Sequence, residues 1–382
     1  MPEGYEGMRT SDGVAWIKSS QLQQLRKVDA IAFDCDGVLV DARRSYDATI
    51  AKVADQLLSK ILGIELPWKQ SAPQMITELR RTGKFNNDWD TTYALILFAA
   101  LALPPRLIRE LVANTYASGT GRINYSQRAV MTNIASIVRR FCSKSIRSSS
   151  AFEAVNLFVK ANTPSENYVP VIAKIKSQLG YQESPPNALL STLFDEVYHG
   201  PILFRRMYGV DALHYRGRGL IENERVLINR RNLDSANSIL GQRRLAIITG
   251  RPYLAAEHVL RDILDYFDVH ASLFIGDIDV HPELATKLAA FRKPSGQGLN
   301  HVRRALSSDM LLYAGDSAED LEMVENARLE EEPVLSAGIY GTSVNQSDHR
   351  KFFIERGADL ILPTARKIAD VLRFVKDEKR AN

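Results

Sequence analysis

The chain has 382 residues, 45% of them hydrophobic and 25% charged, with a formal net charge of +4. That length exceeds what one hydrophobic core usually serves, so two domains are expected, and the composition is that of an ordinary globular chain rather than a disordered or fibrous one. The basic residues are spread rather than blocked, which argues against a nucleic-acid partner despite a pI near 8.9.

In chain order, the opening M-P-E-G-Y-E-G-M-R-T has no apolar segment of the signal-peptide kind. Two cysteines, Cys35 and Cys142, cannot build a disulfide framework. Together these lead us to expect a cytoplasmic protein. The first strand-like run is Val28 to Phe33, V-D-A-I-A-F, which ends in Asp34 and Asp36 with Cys35 between them and Gly37 after. A buried carboxylate without a partner costs several kcal/mol, so the pair needs either solvent in a turn or a cation. By itself the pair leaves both readings open.

From about Arg44 to Arg225 the texture becomes helical. Apolar residues recur at helical spacing over 46–62, with Gly63 as the stop. Further helices are expected over 106–117, 125–142, 150–161, 168–179 and 187–198, with 143–150 as a polar loop. The most apolar run, Tyr93 to Leu103, is far shorter than the roughly 20 residues needed to cross a bilayer and reads as a buried helix. In the polar-aromatic cluster 86–93, Trp89 and Tyr93 are expected to pack rather than to line a pocket. Arg205, Arg206, Arg216 and Arg218 would suit an anionic ligand, although solvated arginines are commoner.

Short apolar strands then alternate with helices. Leu245–Ile248 runs into Thr249-Gly250-Arg251, Leu273–Ile275 into a Gly-Asp pair, and Met310–Ala314 into Gly315-Asp316-Ser317. Val334–Ala337 and Leu360–Leu362 follow, with helices at 254–264 and 320–326. This alternation predicts a parallel α/β sheet whose polar strand ends mark the ligand-binding edge. The expected division is an α/β core over residues 1–43 and 226–382, interrupted by a helical insert over 44–225.

If the strand ends share one edge, they gather Asp34, Asp36, Thr249, Asp316 and Asp320, with Lys293 between. Clustered carboxylates raise one another's pKa unless a cation joins them. Mg²⁺ suits them, because it takes hard oxygen ligands and uses few carboxylates. A lysine, a threonine hydroxyl and the backbone N–H groups around Gly250 are what a phosphate dianion requires.

These motifs, D-x-D-G-V-L-V-D (34–41), T-G-R (249–251), K-P (293–294) and G-D-S-x-x-D (315–320), appear in the order of the haloacid dehalogenase-like (HAD) hydrolases, which the chain resembles. The helical insert after the first motif is similar to a C1-type cap, in a subfamily I phosphatase. The resemblance implies Asp34 as the nucleophile that forms an aspartyl-phosphate and Asp36 as the acid and base. It also implies Mg²⁺ held by Asp34, the Asp36 backbone carbonyl and Asp316. Thr249, Gly250, Arg251 and Lys293 would bind the phosphoryl group, with Thr249 and Lys293 also catalytic and Asp320 supporting. An acid at position 36 favours phosphoryl transfer, since a halide leaving group needs no proton. Arg251 could equally form a structural salt bridge, and Cys35 is expected to pack in the core.

The expected fold is therefore a Rossmann-like parallel sheet of the HAD type with a large all-helical cap. The expected function is Mg²⁺-dependent phosphatase action on a small phosphorylated metabolite. A phosphomutase using the same intermediate and a non-catalytic HAD-like binding module are the alternatives. Neither nucleic acid nor membrane is expected as a partner, and the size of the insert leaves room for a homo-oligomer interface.

Overall fold

The structure is a computed structural model that describes residues 2–85, 87–114, 125–144, 146–343 and 345–377. Asn86 of the 86–93 cluster, residues 115–117 of the helix expected over 106–117, and Ser145 of the 143–150 loop lie outside them. The strands are β1 (Tyr5–Thr10), β2 (Gly13–Lys18), β3 (Ala30–Phe33), β4 (Val40–Asp41), β5 (Arg225–Val226), β6 (Leu245–Thr249), β7 (Leu273–Phe274), β8 (Leu311–Gly315), β9 (Val334–Ile339) and β10 (Leu360–Leu362). Eight form one sheet in the order β1-β2-β10-β9-β8-β3-β6-β7. The six from β10 to β7 are parallel, and the β1–β2 hairpin caps that edge antiparallel to β10.

The alternating pattern of the central strands explains the layering. Ile31 and Phe33 of β3, Leu245 and Ile247 of β6, and Leu312 and Ala314 of β8 share one face with Leu233, Val371 and Leu372. The residues between them, Ala30, Ala32, Ala246, Ile248, Leu311 and Tyr313, face Leu299, Val302, Met323 and Val324. Helices on both faces of a parallel sheet bury it twice over, which is why β3, β6 and β8 are buried at every position. Cys35 belongs to the first of these faces and is fully buried.

Val28–Phe33, the first strand expected from the sequence, is preceded by a hairpin. Only Tyr5 of β1 is buried, so an edge strand of this kind lacks the apolar alternation that marks a strand. The expected helix over 254–264 is split into Tyr253–Leu260 and a 3₁₀ turn at Arg261–Tyr266, with Arg261 at φ 51° ending the first. The helix expected over 187–198 starts at Leu189 and runs to Tyr208 through a kink at Gly200-Pro201. A helix at Trp68–Arg80, containing Pro73, was not anticipated.

Contacts divide the chain into two units, Met1–Arg43 with Asn223–Asn382, and Arg44–Glu222. Among the described residues, the second carries helices and no strand. Its central helix, Asp88–Ala102, is buried from Thr91 onward. Tyr93 stacks among Phe152 and Tyr181 and donates to Asn156, while Trp89 Nε1 donates to Asp195 at 3.1 Å. Arg205 pairs with Asp211 and Arg218 with Glu222. A cavity of about 520 Å³ in this unit is bordered by Arg81, Lys84, Arg139 and Lys144. These cations gather where the helices Trp68–Arg80 and Gln127–Cys142 end, positions that favour positive charge whether or not a ligand binds. No helix among the described residues is long and apolar enough to cross a membrane.

Candidate active site

The sheet register brings the motif residues together. Phe33 pairs with Ile247 of β6 and Ala314 of β8. The residues just beyond, Asp34, Thr249 and Asp316, therefore emerge at the same carboxyl edge. Asp34 N–H donates to Ala314 O at 2.8 Å, fixing the strand's exit. Gly37 turns at φ +77°, and a Cβ there would lie 1.8 Å from Asp316 Oδ2. The D-x-D-G loop can close over Asp316 only because this residue has no side chain.

Lys293 is the positive centre. Its Nζ lies 2.9 Å from Asp34 Oδ1 and donates to Asp320 Oδ1 at 2.7 Å. Asp320 is saturated. Tyr313 OH also donates to its Oδ1 at 2.8 Å, while its Oδ2 accepts from Asp316 N–H, Ser317 N–H and Ser317 Oγ at 2.7–3.0 Å. The carboxylate at 320 thus both closes the capping box of the helix Ala318–Leu329 and holds the lysine. Tyr313 is a participant the sequence reading missed. Its position on a buried strand, next to the Gly-Asp motif, is the signal that it would need a polar partner.

Three acids, Asp34, Asp316 and Asp320, each offer an oxygen within 4.8 Å of the others. Burial pushes Asp34 up to about 7. Lys293 opposes that rise, and the Asp320 and Asp36 charges add to it. Burial, then the charges of Asp320 and Asp34, hold Asp316 well above the usual carboxylate range. Asp320 goes the other way: burial would raise it, but Lys293 and its hydrogen bonds hold it below the usual range. Burial alone would depress Lys293, yet the acids around it drive it well above its ordinary value. Two carboxylates held unwillingly beside a third are an all-oxygen donor set that a hard divalent cation such as Mg²⁺ would satisfy. Asp320 is the least suited to ligate it, since all its oxygens are in use, so its expected supporting role fits its surroundings better.

Asp36 has its side-chain ion-pair partner outside this trio of acids. Arg251 Nε donates to its Oδ1 at 2.8 Å, and Arg251 Nη2 donates to the same oxygen. Nη2 also meets Glu224 Oε2 at 2.8 Å. The salt bridge that the sequence allowed for Arg251 is present: its side chain is 1% exposed and pairs with two carboxylates. Glu224 went unnoticed in the sequence because it sits in the return from the helical insert, far from every motif. A buried arginine after β6 needs an acid, and that need was the available clue. Thr249 is buried, and its hydroxyl accepts from Arg251 N–H at 3.1 Å, while a Cβ on Gly250 would meet nothing within 4 Å. Burial pushes the Cys35 thiol well above its ordinary range, which suits packing rather than nucleophilic chemistry.

No protein-family model matches the sequence, and no curated protein does either. In fold the chain is similar to a structural-genomics target solved by X-ray crystallography, 16% identical with a TM-score of 0.60 over 91% of this chain and 99% of that one. It also aligns with a phosphatase from Thermococcus thioreducens, 21% identical with a TM-score of 0.49 over 86% of this chain and 99% of that one.

Proposed function

We propose that the chain is a HAD-type phosphatase that hydrolyses a small phosphorylated metabolite with the help of Mg²⁺. The observation that carries this reading is the Lys293 ammonium set between Asp34 and Asp320 at the carboxyl edge, with Asp316 beside them. Asp34 Oδ1 is occupied by Lys293 and by Cys35 N–H at 2.8 Å, so Oδ2 is the oxygen directed to attack phosphorus. A new P–O bond forms to Asp34 as the bond to the leaving oxygen breaks, and Asp36 supplies the proton the departing alkoxide takes. Water then attacks the aspartyl-phosphate, gives its proton to Asp36, and releases phosphate with Asp34 restored. Lys293, and Thr249 with the N–H groups around Gly250, would neutralise and orient the phosphoryl oxygens. Asp34, Asp316 and the Asp36 backbone carbonyl would hold Mg²⁺, which when bound offsets charge on the transferring group.

The test is phosphate release from p-nitrophenyl phosphate and from a panel of phosphorylated metabolites, with Mg²⁺, for the wild type and Asp34→Asn. The variant is expected to fold normally and to lose at least about a thousandfold in kcat. Wild-type activity retained in Asp34→Asn would sink the mechanism. An isomerised product without released phosphate would turn the reading to a mutase.

A further inference from the structure

Two carboxylates meet one buried guanidinium beside the site. Both contacts of Arg251 to Asp36 go to Oδ1, and the Glu224 side chain, which meets Arg251 Nη2, is 0% exposed. Removing such ions from water costs several kcal/mol each unless partners compensate, so the arrangement is held together by all three. The two acids come from the two crossings between the core and the helical insert. Asp36 lies on the outgoing loop that leads into β4. Glu224 follows Asn223, the first residue of the return, and immediately precedes β5. These crossings pair with each other, Val40 with Val226 and Asp41 with Arg225. One guanidinium therefore ties both to the end of β6.

We infer that Arg251, braced by Glu224, is a positioning residue for Asp36 that fixes which of its carboxyl oxygens faces the substrate. The inference rests on the phosphatase reading above. Arginine offers only donors in a rigid fork, and here the fork closes on Oδ1. The Asp36 side chain is 35% exposed, and its Oδ2 meets no hydrogen-bond donor among the described residues. Oδ2 is thus the oxygen presented to a leaving group. Glu224 shares Nη2 with Asp36, so the guanidinium cannot re-centre on Asp36 without giving up that contact.

The test compares Arg251→Lys, Glu224→Gln and Asp36→Asn with the wild type on an alkyl phosphate and on p-nitrophenyl phosphate. The alkoxide needs the proton and nitrophenolate does not. Misplacing Asp36 is expected to lower kcat on the alkyl phosphate about 10- to 100-fold, to lower the aryl rate far less, and to leave KM nearly unchanged. Glu224→Gln should act in the same direction as Arg251→Lys but more weakly. Equal losses on both substrates, as a general weakening of the fold would give, overturn the inference, and so do unchanged rates. A crystal structure of Glu224→Gln separates this inference from the phosphatase reading. An Asp36 carboxyl turned out of the Arg251 fork supports the anchoring even if the wild type hydrolyses no phosphoester. A carboxyl left where it was overturns it.

Discussion

Asp34 concentrates the conflict built into the site. Burial lifts its carboxyl to about 7, against about 4 in an unfolded chain. A carboxyl raised in this way binds its proton more tightly when folded. Its contribution to stability is complete below about pH 4 and lost as pH rises through about 7. In the metal-free protein the melting temperature should therefore fall over that window relative to Asp34→Asn, whose amide does not titrate, and Mg²⁺ should recover the loss at neutral pH. Calorimetry of both forms in chelator, then in Mg²⁺, measures it. Parallel profiles for wild type and variant would show that Asp34 titrates normally. The residue type and spacing of Asp34, Asp316 and Lys293 could be read from the chain because each ends a strand or a short motif. The partner of Arg251 could not, because sequence position says nothing about which distant acid a buried guanidinium will meet.

Secondary-structure elements carry the site through their ends. Asp320 serves the helix Ala318–Leu329 as its third residue and serves Lys293 as counter-ion. Gly315, at the end of β8, leaves room for it, since a Cβ there would sit 2.3 Å from Asp320 Cβ. Asp320→Ala should remove one cap and leave Tyr313, Ser317 and Lys293 without their shared acceptor, at a cost of about 3–5 kcal/mol. Denaturant unfolding reads that loss directly, and a change below about 1 kcal/mol would show the hub to be dispensable. Central strands and most helices of the insert were legible in advance, because burial on both faces or along one stripe leaves a strong periodic mark. The β1–β2 hairpin and the two-residue β4–β5 ladder were not. An exposed edge needs little apolar surface, and two residues are too few to display a period.

At the scale of the molecule, the β4–β5 ladder bears on how the two units can be separated. Asp41 and Arg225 are opposite residues in an antiparallel pair, about 5 Å apart at their Cα atoms, so the insert leaves and re-enters at nearly one point. Replacing residues 44–222 with a short Gly-Ser linker should leave a core that unfolds cooperatively, and the excised 44–222 should melt as a separate helical unit. Circular dichroism melts of both fragments test this. A core that fails to fold with the linker in place would show that the insert is part of its stability. The sequence put the α/β texture at the two ends of the chain and the helical texture between them. It could not show that the two crossings are hydrogen-bonded to each other.

The position of β3 has a further consequence during synthesis. Its neighbours in the sheet are β6 and β8, both encoded beyond residue 244, so A-I-A-F leaves the ribosome long before either partner exists. At 5–20 residues per second the wait is on the order of ten seconds or more, and an unpaired apolar strand invites association with other chains for that whole time. Asp29 stands at one end of this strand, Asp34 and Asp36 at the other. Flanking charges of this kind act as gatekeepers against aggregation. The acids proposed for catalysis in the finished protein would thus have an earlier use, keeping an orphan strand in solution until its sheet arrives.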